Sequence, residues 1–273
     1  MQLDRVEGTA RSGSAALAPL LQLESISKTY AARDGRPVHA LDAISCSVRG
    51  GEFISILGPS GCGKSTLLLI IAGLIPPTSG ALHFHNASGA GGALDFGIVF
   101  QDPVLFPWRD VQTNVELPAE VNRTRRNERA AMASKLISLV GLRGFERKYP
   151  YELSGGMQQR VAIARALMLS PSLLLMDEPF GALDALTREQ MNLELQKISM
   201  ATQATVLFVT HSIAEAAFLS DRVFVLTGRP AILKEVVEID IPRPRTLDMM
   251  ASGVFGNFVT RLRRLLDATA DPT

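Results

Sequence analysis

Residues 53–66 read Phe53-Ile54-Ser55-Ile56-Leu57-Gly58-Pro59-Ser60-Gly61-Cys62-Gly63-Lys64-Ser65-Thr66. The first five form a short apolar run with β-branched residues, the pattern of a buried strand. Gly58, Gly63, Lys64 and Ser65 then satisfy G-x-x-x-x-G-K-[ST]. Residues 66–74 follow as an apolar helix, stopped by Pro76-Pro77. An ordinary strand–turn–helix corner does not require the strand, the glycines, the Lys and the Ser to coincide. Glycines let backbone N–H groups curl round a β-phosphate without a Cβ clash. The helix N-terminus adds unpaired donors and the positive end of its dipole. Lys64 is expected to reach the β- and γ-phosphates, Ser65 to offer its hydroxyl to Mg²⁺, and Thr66 to contact the α-phosphate.

Leu21, Leu23 and Ile26 open a strand-like stretch ending at Tyr30, and 31–38 reads as a hairpin loop. Alternation resumes through Leu41, Ile44, Cys46 and Val48 until Gly50-Gly51 breaks it. A glycine-rich hairpin region covers roughly 78–94, and 95–100 reads as a strand. From about 102 to 169 polar helix-forming segments dominate, chiefly 123–142 and 155–169. Strands resume at 173–176, 205–210, 222–227 and 231–239. Residues 246–268 read as one amphipathic helix carrying Phe255, Phe258, Val259 and Leu262. Strands alternating with helices argue for a parallel-sheet α/β core, with the helical block inserted as a separate lobe. The expected organisation is a loose tail over 1–19, one domain over 20–245 and a helical extension over 246–273.

A second apolar run, Leu173-Leu174-Leu175-Met176, ends in Asp177-Glu178-Pro179. Asp177, at a strand's C-terminal end, is placed to hold Mg²⁺. Glu178 is placed to orient and deprotonate an attacking water. Such a pair alone is an ordinary solvated turn; the phosphate loop in the same chain changes that reading. Leu153-Ser154-Gly155-Gly156-Met157-Gln158 opens a helix and offers a second anion site from backbone donors and a hydroxyl. From the residues alone it reads equally as a plain helix N-cap.

The 273-residue chain carries 28 Lys and Arg against 27 Asp and Glu, so charge gives no reason to expect nucleic acid as a partner. Cys46 and Cys62 read as reduced thiols of a cytoplasmic protein. No signal-peptide pattern and no run of about eighteen apolar residues is seen, so membrane association is expected only through a partner. His83 and His85 share a strand face and read as surface residues, not a metal site.

In order and spacing, these motifs resemble the ATP-binding-cassette (ABC) ATPases over about residues 21–240. The resemblance implies a P-loop α/β core with a mixed, mainly parallel sheet, an antiparallel β subdomain and an inserted helical subdomain at about 102–169. It implies ATP and Mg²⁺ as ligands and a head-to-tail pair of cassettes. Ser154, Gly155, Gly156 and Gln158 of one copy would then meet the γ-phosphate held by the other. By the same resemblance Tyr30 stacks on adenine, Gln101 touches Mg²⁺ and the attacking water, and His211 contacts the γ-phosphate. Ala182-Leu183-Asp184 signals across the pair. A histidine after a strand is otherwise commonly structural; Ser212 and Glu215 are expected to form a capping box that aims His211. Pro103-Val104-Leu105-Phe106-Pro107-Trp108 is too apolar for a free loop. It is either local packing or a docking surface for a membrane permease subunit, with Val104, Leu105, Phe106 and Trp108 in contact; the resemblance favours the second.

Pro179-Phe180-Gly181-Ala182-Leu183-Asp184, with Gly where many cassettes carry Ser, is similar to bacterial importers. Phe106-Pro107-Trp108, Gly228-Arg229-Pro230 and Ile241-Pro242-Arg243-Pro244-Arg245 are similar to the nitrate/sulfonate/taurine group. That implies a peripheral subunit on the cytoplasmic face of the bacterial inner membrane, working with permeases and a solute-binding protein on a small anionic nutrient. The rivals are a soluble ABC ATPase on nucleic acid or ribosomes, which usually has two cassettes or a long coiled-coil insertion, an export cassette, and a kinase sharing only the phosphate loop.

Overall fold

The structure is a computed structural model in which residues 19–31, 36–85 and 95–267 are described. Of the tail expected over 1–19, residues 1–18 lie outside them and Pro19 opens the first strand; 86–94 of the glycine-rich hairpin also lie outside them. In chain order the strands and helices are β1 (Pro19–Tyr30), β2 (Val38–Arg49), β3 (Phe53–Leu57), α1 (Lys64–Ile71), β4 (Ser79–Phe84), β5 (Phe96–Val99), α2 (Val111–Val121), α3 (Arg126–Leu139), α4 (Gly155–Ala166), β6 (Leu173–Asp177), α5 (Ala185–Thr202), β7 (Thr205–Thr210), α6 (Ile213–Leu219), β8 (Arg222–Thr227), β9 (Ile232–Glu238) and α7 (Gly253–Asp267).

Two sheets form, a three-stranded one ordered β2-β1-β4 and a six-stranded one ordered β5-β6-β7-β3-β8-β9. The first is antiparallel. The second is parallel except for β9, which returns antiparallel to β8. Every residue of β3 and β7 is buried, as expected for parallel strands covered on both faces. The alternation of β3 splits its side chains between two cores. Phe53 and Leu57 join Phe208, Phe180 and the helical block on one face. Ile54 and Ile56 join α1 and the inner face of the three-stranded sheet, including Leu21, Leu23 and Ile26, on the other.

The helical block packs α2 against α3 and α4. Asp110 caps α2 by accepting from the Thr113 N–H at 2.8 Å. Val115, Ala133, Ile137 and Val161 continue the first core without a break, so the inserted lobe shares that core.

Boundaries moved where caps act. α1 starts at Lys64 and stops at Ile71, because Gly73 takes φ +68 and ends the helix. The single helix expected at 246–268 is a 3₁₀ turn over Leu247–Ala251 followed by α7. Ser252 separates them, its hydroxyl accepting from the Phe255 N–H at 3.3 Å.

Candidate active site

Parallel pairing sets the site. Leu57 of β3 lies beside Thr210 of β7, and Asp177 of β6 lies beside Val209. The C-terminal ends of three neighbouring strands therefore share one edge, which brings the 58–65 loop, Asp177-Glu178 and His211 together.

The loop needs its glycines. A Cβ on Gly58 would sit 2.7 Å from the Leu226 carbonyl oxygen, and one on Gly63 would sit 2.8 Å from that of Ala40. Gly63 also has φ +120, which side chains rarely adopt. Lys64 is 4% exposed. Its Nζ donates to the carbonyls of Gly58 and Pro59, both at 3.0 Å. Nζ also lies 3.4 Å from Glu178 Oε1.

Glu178 is a left-handed non-glycine residue at φ +44, a conformation that concentrates at functional sites. Its N–H donates to Val209 O at 3.0 Å, and its own carbonyl accepts from Gly181 N–H at 3.0 Å. The side chain is thereby aimed along the sheet edge, with Oε2 2.9 Å from His211 Nδ1. Asp177 Oδ1 accepts from the Ser65 hydroxyl at 2.9 Å. Burial pushes the Asp177 carboxyl up, against the lowering effect of Ser65. These hard oxygen donors, side by side, fit an ion of the Mg²⁺ type.

A cleft of about 400 Å³ opens beside the loop. Tyr30, Val38 and His39 line it, with Gly61 through Thr66, Glu178 and Arg229. The Tyr30 hydroxyl stands 3.4 Å from Thr66 Oγ1. Pro59 and Ser60 are exposed at the outer turn of the loop. Gln101 borders Gly181: its Nε2 is 3.4 Å from where a Cβ of Gly181 would be.

A family profile described as "ABC transporter" matches residues 41–181. The taurine import ATP-binding protein of Rhizobium johnstonii is 45% identical, over 92% of this chain and 98% of its own length. An uncharacterised ABC transporter ATP-binding protein of Methanocaldococcus jannaschii is 52% identical over 82% of this chain and 84% of its own. The chain belongs to the ABC transporter family. Among solved structures, a dimeric ATP-binding cassette bound to ADP and Pi in a post-hydrolysis state superimposes with a TM-score of 0.69. It is 33% identical and covers 81% of this chain and 100% of its own. The protein is thus an ATP-binding, ATP-hydrolysing cassette.

In this cassette the Ser154–Gly156 segment does not line the cleft. Ser154 caps α4, its hydroxyl accepting from Met157 N–H at 3.3 Å, and stays exposed. Cβ atoms on Gly155 and Gly156 would meet Leu183 at 3.7 Å and Thr187 at 3.0 Å. The Gln158 amide donates to the carbonyls of Pro150 and Leu153, so its N–H groups serve the local turn. Asp184 caps α5 by accepting from Thr187 N–H at 3.0 Å. The Thr187 hydroxyl and N–H hold its carboxyl below the usual range.

The expected Ser212–Glu215 capping box forms only by half. Glu215 N–H donates to the Ser212 hydroxyl at 3.3 Å. The Ser212 N–H instead donates to Thr210 Oγ1 at 2.9 Å. Thr210 in turn donates to the Glu215 carboxylate. Glu215 is 6% exposed, and burial pushes its carboxyl up. Burial favours this inward contact over a surface cap. Arg188, 3.6 Å from Glu215, donates to Leu183 O at 2.9 Å. A Thr210–Glu215–Arg188 chain, buried at Thr210 and Glu215, thus joins the His211 turn to the Leu183-Asp184 loop. Sequence reading missed it because no spacing links these positions.

The apolar 103–108 loop divides. Leu105 packs on the core, whereas Val104 is 61% and Trp108 71% exposed. The Phe106 and Trp108 rings pack at a tilt of 33° with centroids 5.0 Å apart. Buried Asn114 accepts from Phe106 N–H at 2.9 Å and donates to Arg109 O at 2.8 Å. Arg165 donates to the carbonyls of Val104 and Pro103. The surface is therefore apolar and held rigid by the groups behind it. His83 is an exposed strand residue 3.3 Å from Glu24, as expected. Among the described residues no group of His, Cys, Asp or Glu forms a metal cluster, and no helix is long and apolar enough to cross a membrane.

Proposed function

We propose that this cassette energises uptake of a small anionic nutrient, as one of two copies paired head to tail on permease subunits. The carrying observation is the half-built cleft. One chain supplies the loop, Asp177, Glu178 and His211, while its own Ser154–Gly156 turn lies outside that cleft, with Ser154 and Gly155 exposed and Gly156 buried. The neighbour bound to ADP and Pi is dimeric, and similar proteins are named for taurine and nitrate import, which supports the reading.

In this reading Tyr30 packs on adenine, while the amides of the 58–65 loop hold the β-phosphate. Ser65, Gln101 and Asp177 would hold Mg²⁺, which when bound neutralises phosphate charge. Glu178 is engaged by Lys64 and His211. A γ-phosphate would draw both of those donors to itself and free Glu178 to accept the proton of the attacking water. Ser154, Gly155, Gly156 and Gln158 of the second copy would close the site, and Asp184 would sit at the seam. A solute-binding protein outside and permeases in the membrane would complete the complex on the cytoplasmic face.

Trp108, with Val104 and Phe106, is the proposed permease contact. In the assembled complex Trp108→Ala should lower solute uptake by about tenfold or more, the range of a lost aromatic anchor, while ATP affinity stays unchanged. Uptake and nucleotide binding falling together would assign Trp108 to internal packing.

A further inference from the structure

Arg229 entered the sequence analysis only as part of a group resemblance, with no role at the site. It follows β8 in the turn to β9, where Gly228 takes φ +84. Two backbone bonds pin that turn to β2: Ala231 N–H to Ala40 O and Asp42 N–H to Ala231 O, each 2.9 Å. Arg229 therefore arrives at the phosphate loop on a fixed support. One guanidinium nitrogen donates to the Ser60 carbonyl at 2.9 Å. The same nitrogen is 3.0 Å from where a Cβ of Gly61 would stand. The side chain lines the cleft.

Among the described residues Arg229 has no carboxylate within ion-pair distance, and the Ser60 carbonyl is its one acceptor. Arginine offers five donors, and among the described residues one nitrogen of the fork is engaged. Lys64, by contrast, is committed to two loop carbonyls and lies beside Glu178. The Arg229 field also reaches Cys62, inside the loop. A guanidinium in a cleft walled by backbone donors is suited to a phosphate oxyanion.

We propose that Arg229 is a second phosphate-recognising cation of the nucleotide site. It braces the 58–65 loop through the Ser60 carbonyl and selects nucleoside di- and triphosphates over the monophosphate. This rests on the reading of the cleft as the ATP site.

The test uses the full chain and equilibrium binding of ATP, ADP, AMP and adenosine at low and high salt, with melting to check folding. Arg229→Ala should weaken ATP and ADP about tenfold, the scale of one charge-assisted contact. The loss should shrink with salt, and adenosine should be unaffected. Arg229→Lys should restore part of the affinity. Arg229→Gln, which can still donate to Ser60, should not. Unchanged ATP and ADP affinity in Arg229→Ala overturns the proposal, as does an equal loss for adenosine. Lys64→Ala serves as the reference. If it also leaves ATP binding unchanged, the reading of the cleft fails, and the proposal with it. If only Arg229 is silent, the proposal fails alone.

Discussion

Glu178→Gln should bind ATP as tightly as the parent chain, hydrolyse it about 10²–10⁴-fold more slowly and accumulate as an ATP-bound dimer. The magnitude is that of removing a positioned general base. The substitution keeps the volume and leaves an oxygen able to face His211, so the site should stay assembled. What is lost is a carboxylate that can accept a proton. That carboxylate is held from both sides, by Lys64 at 3.4 Å and His211 at 2.9 Å. Its backbone is fixed in a left-handed conformation by the Val209 carbonyl. So much positioning of one acidic group is the reason to place the proton transfer there. Single-turnover hydrolysis read alongside size-exclusion in ATP separates the two parts of the prediction. Rapid turnover by the variant would remove Glu178 from this role.

The largest stability effect is expected at Arg245, not in the cleft. Arg245 is 2% exposed and charged. Its guanidinium donates to the carbonyls of Ala217, Phe218 and Ser220 and to those of Ile239 and Ile241. The first three close the C-terminus of α6, where the helix dipole favours a cation. The others belong to the segment after β9, so one side chain ties helix and sheet together. Gln196 reinforces it, donating to Arg245 O at 2.9 Å and accepting its N–H at 2.7 Å. Burial pulls the guanidinium down to about 10, helped by Arg243 nearby. Arg245 therefore remains charged at neutral pH. Arg245→Ala leaves buried carbonyls without donors and a hole besides, and should cost about 3–5 kcal/mol. For a chain this size that is a fall of about 10 °C in melting temperature. Arg245→Lys should recover only part, because a single ammonium cannot match the fork. Differential scanning calorimetry checks this; melting within two or three degrees of the parent would show that the carbonyls find water.

The candidate nucleotide site could be read in the sequence because its residues are contiguous. A strand, a glycine loop and a helix fit into 53–74, and the geometry of Gly58 and Gly63 follows from their neighbours in the chain. Asp177-Glu178 could be read for the same reason, and so could the parallel core. The residues that escaped are brought in by topology. Arg229 reaches the loop only because β8 pairs with β3, a neighbourhood no spacing announces. The Thr210–Glu215–Arg188 chain needs α5 and α6 to be side by side. Arg245 was quoted only as a group resemblance, and its guanidinium filling the end of α6 is a packing fact. The helix expected at 123–142 shortened to α3, and the one expected at 246–268 divided at Ser252. Gly141 at φ +72 follows the end of the first and the Ser252 hydroxyl sets the break in the second, local features that periodicity over twelve residues does not mark.

If each working pocket takes its loop from one copy and its Ser154–Gly156 turn from another, two differently broken chains should repair each other. Lys64→Ala disables the loop and Gly156→Asp disables the turn, so each variant alone should be inactive. Mixed, they form pairs in which one pocket has both lesions and the other has neither. ATP hydrolysis should then return, in proportion to the mixed pairs counted by native mass spectrometry. If Gly156→Asp alone hydrolyses ATP at the parent rate, or if mixed pairs form and stay inactive, the pocket is not shared in this way.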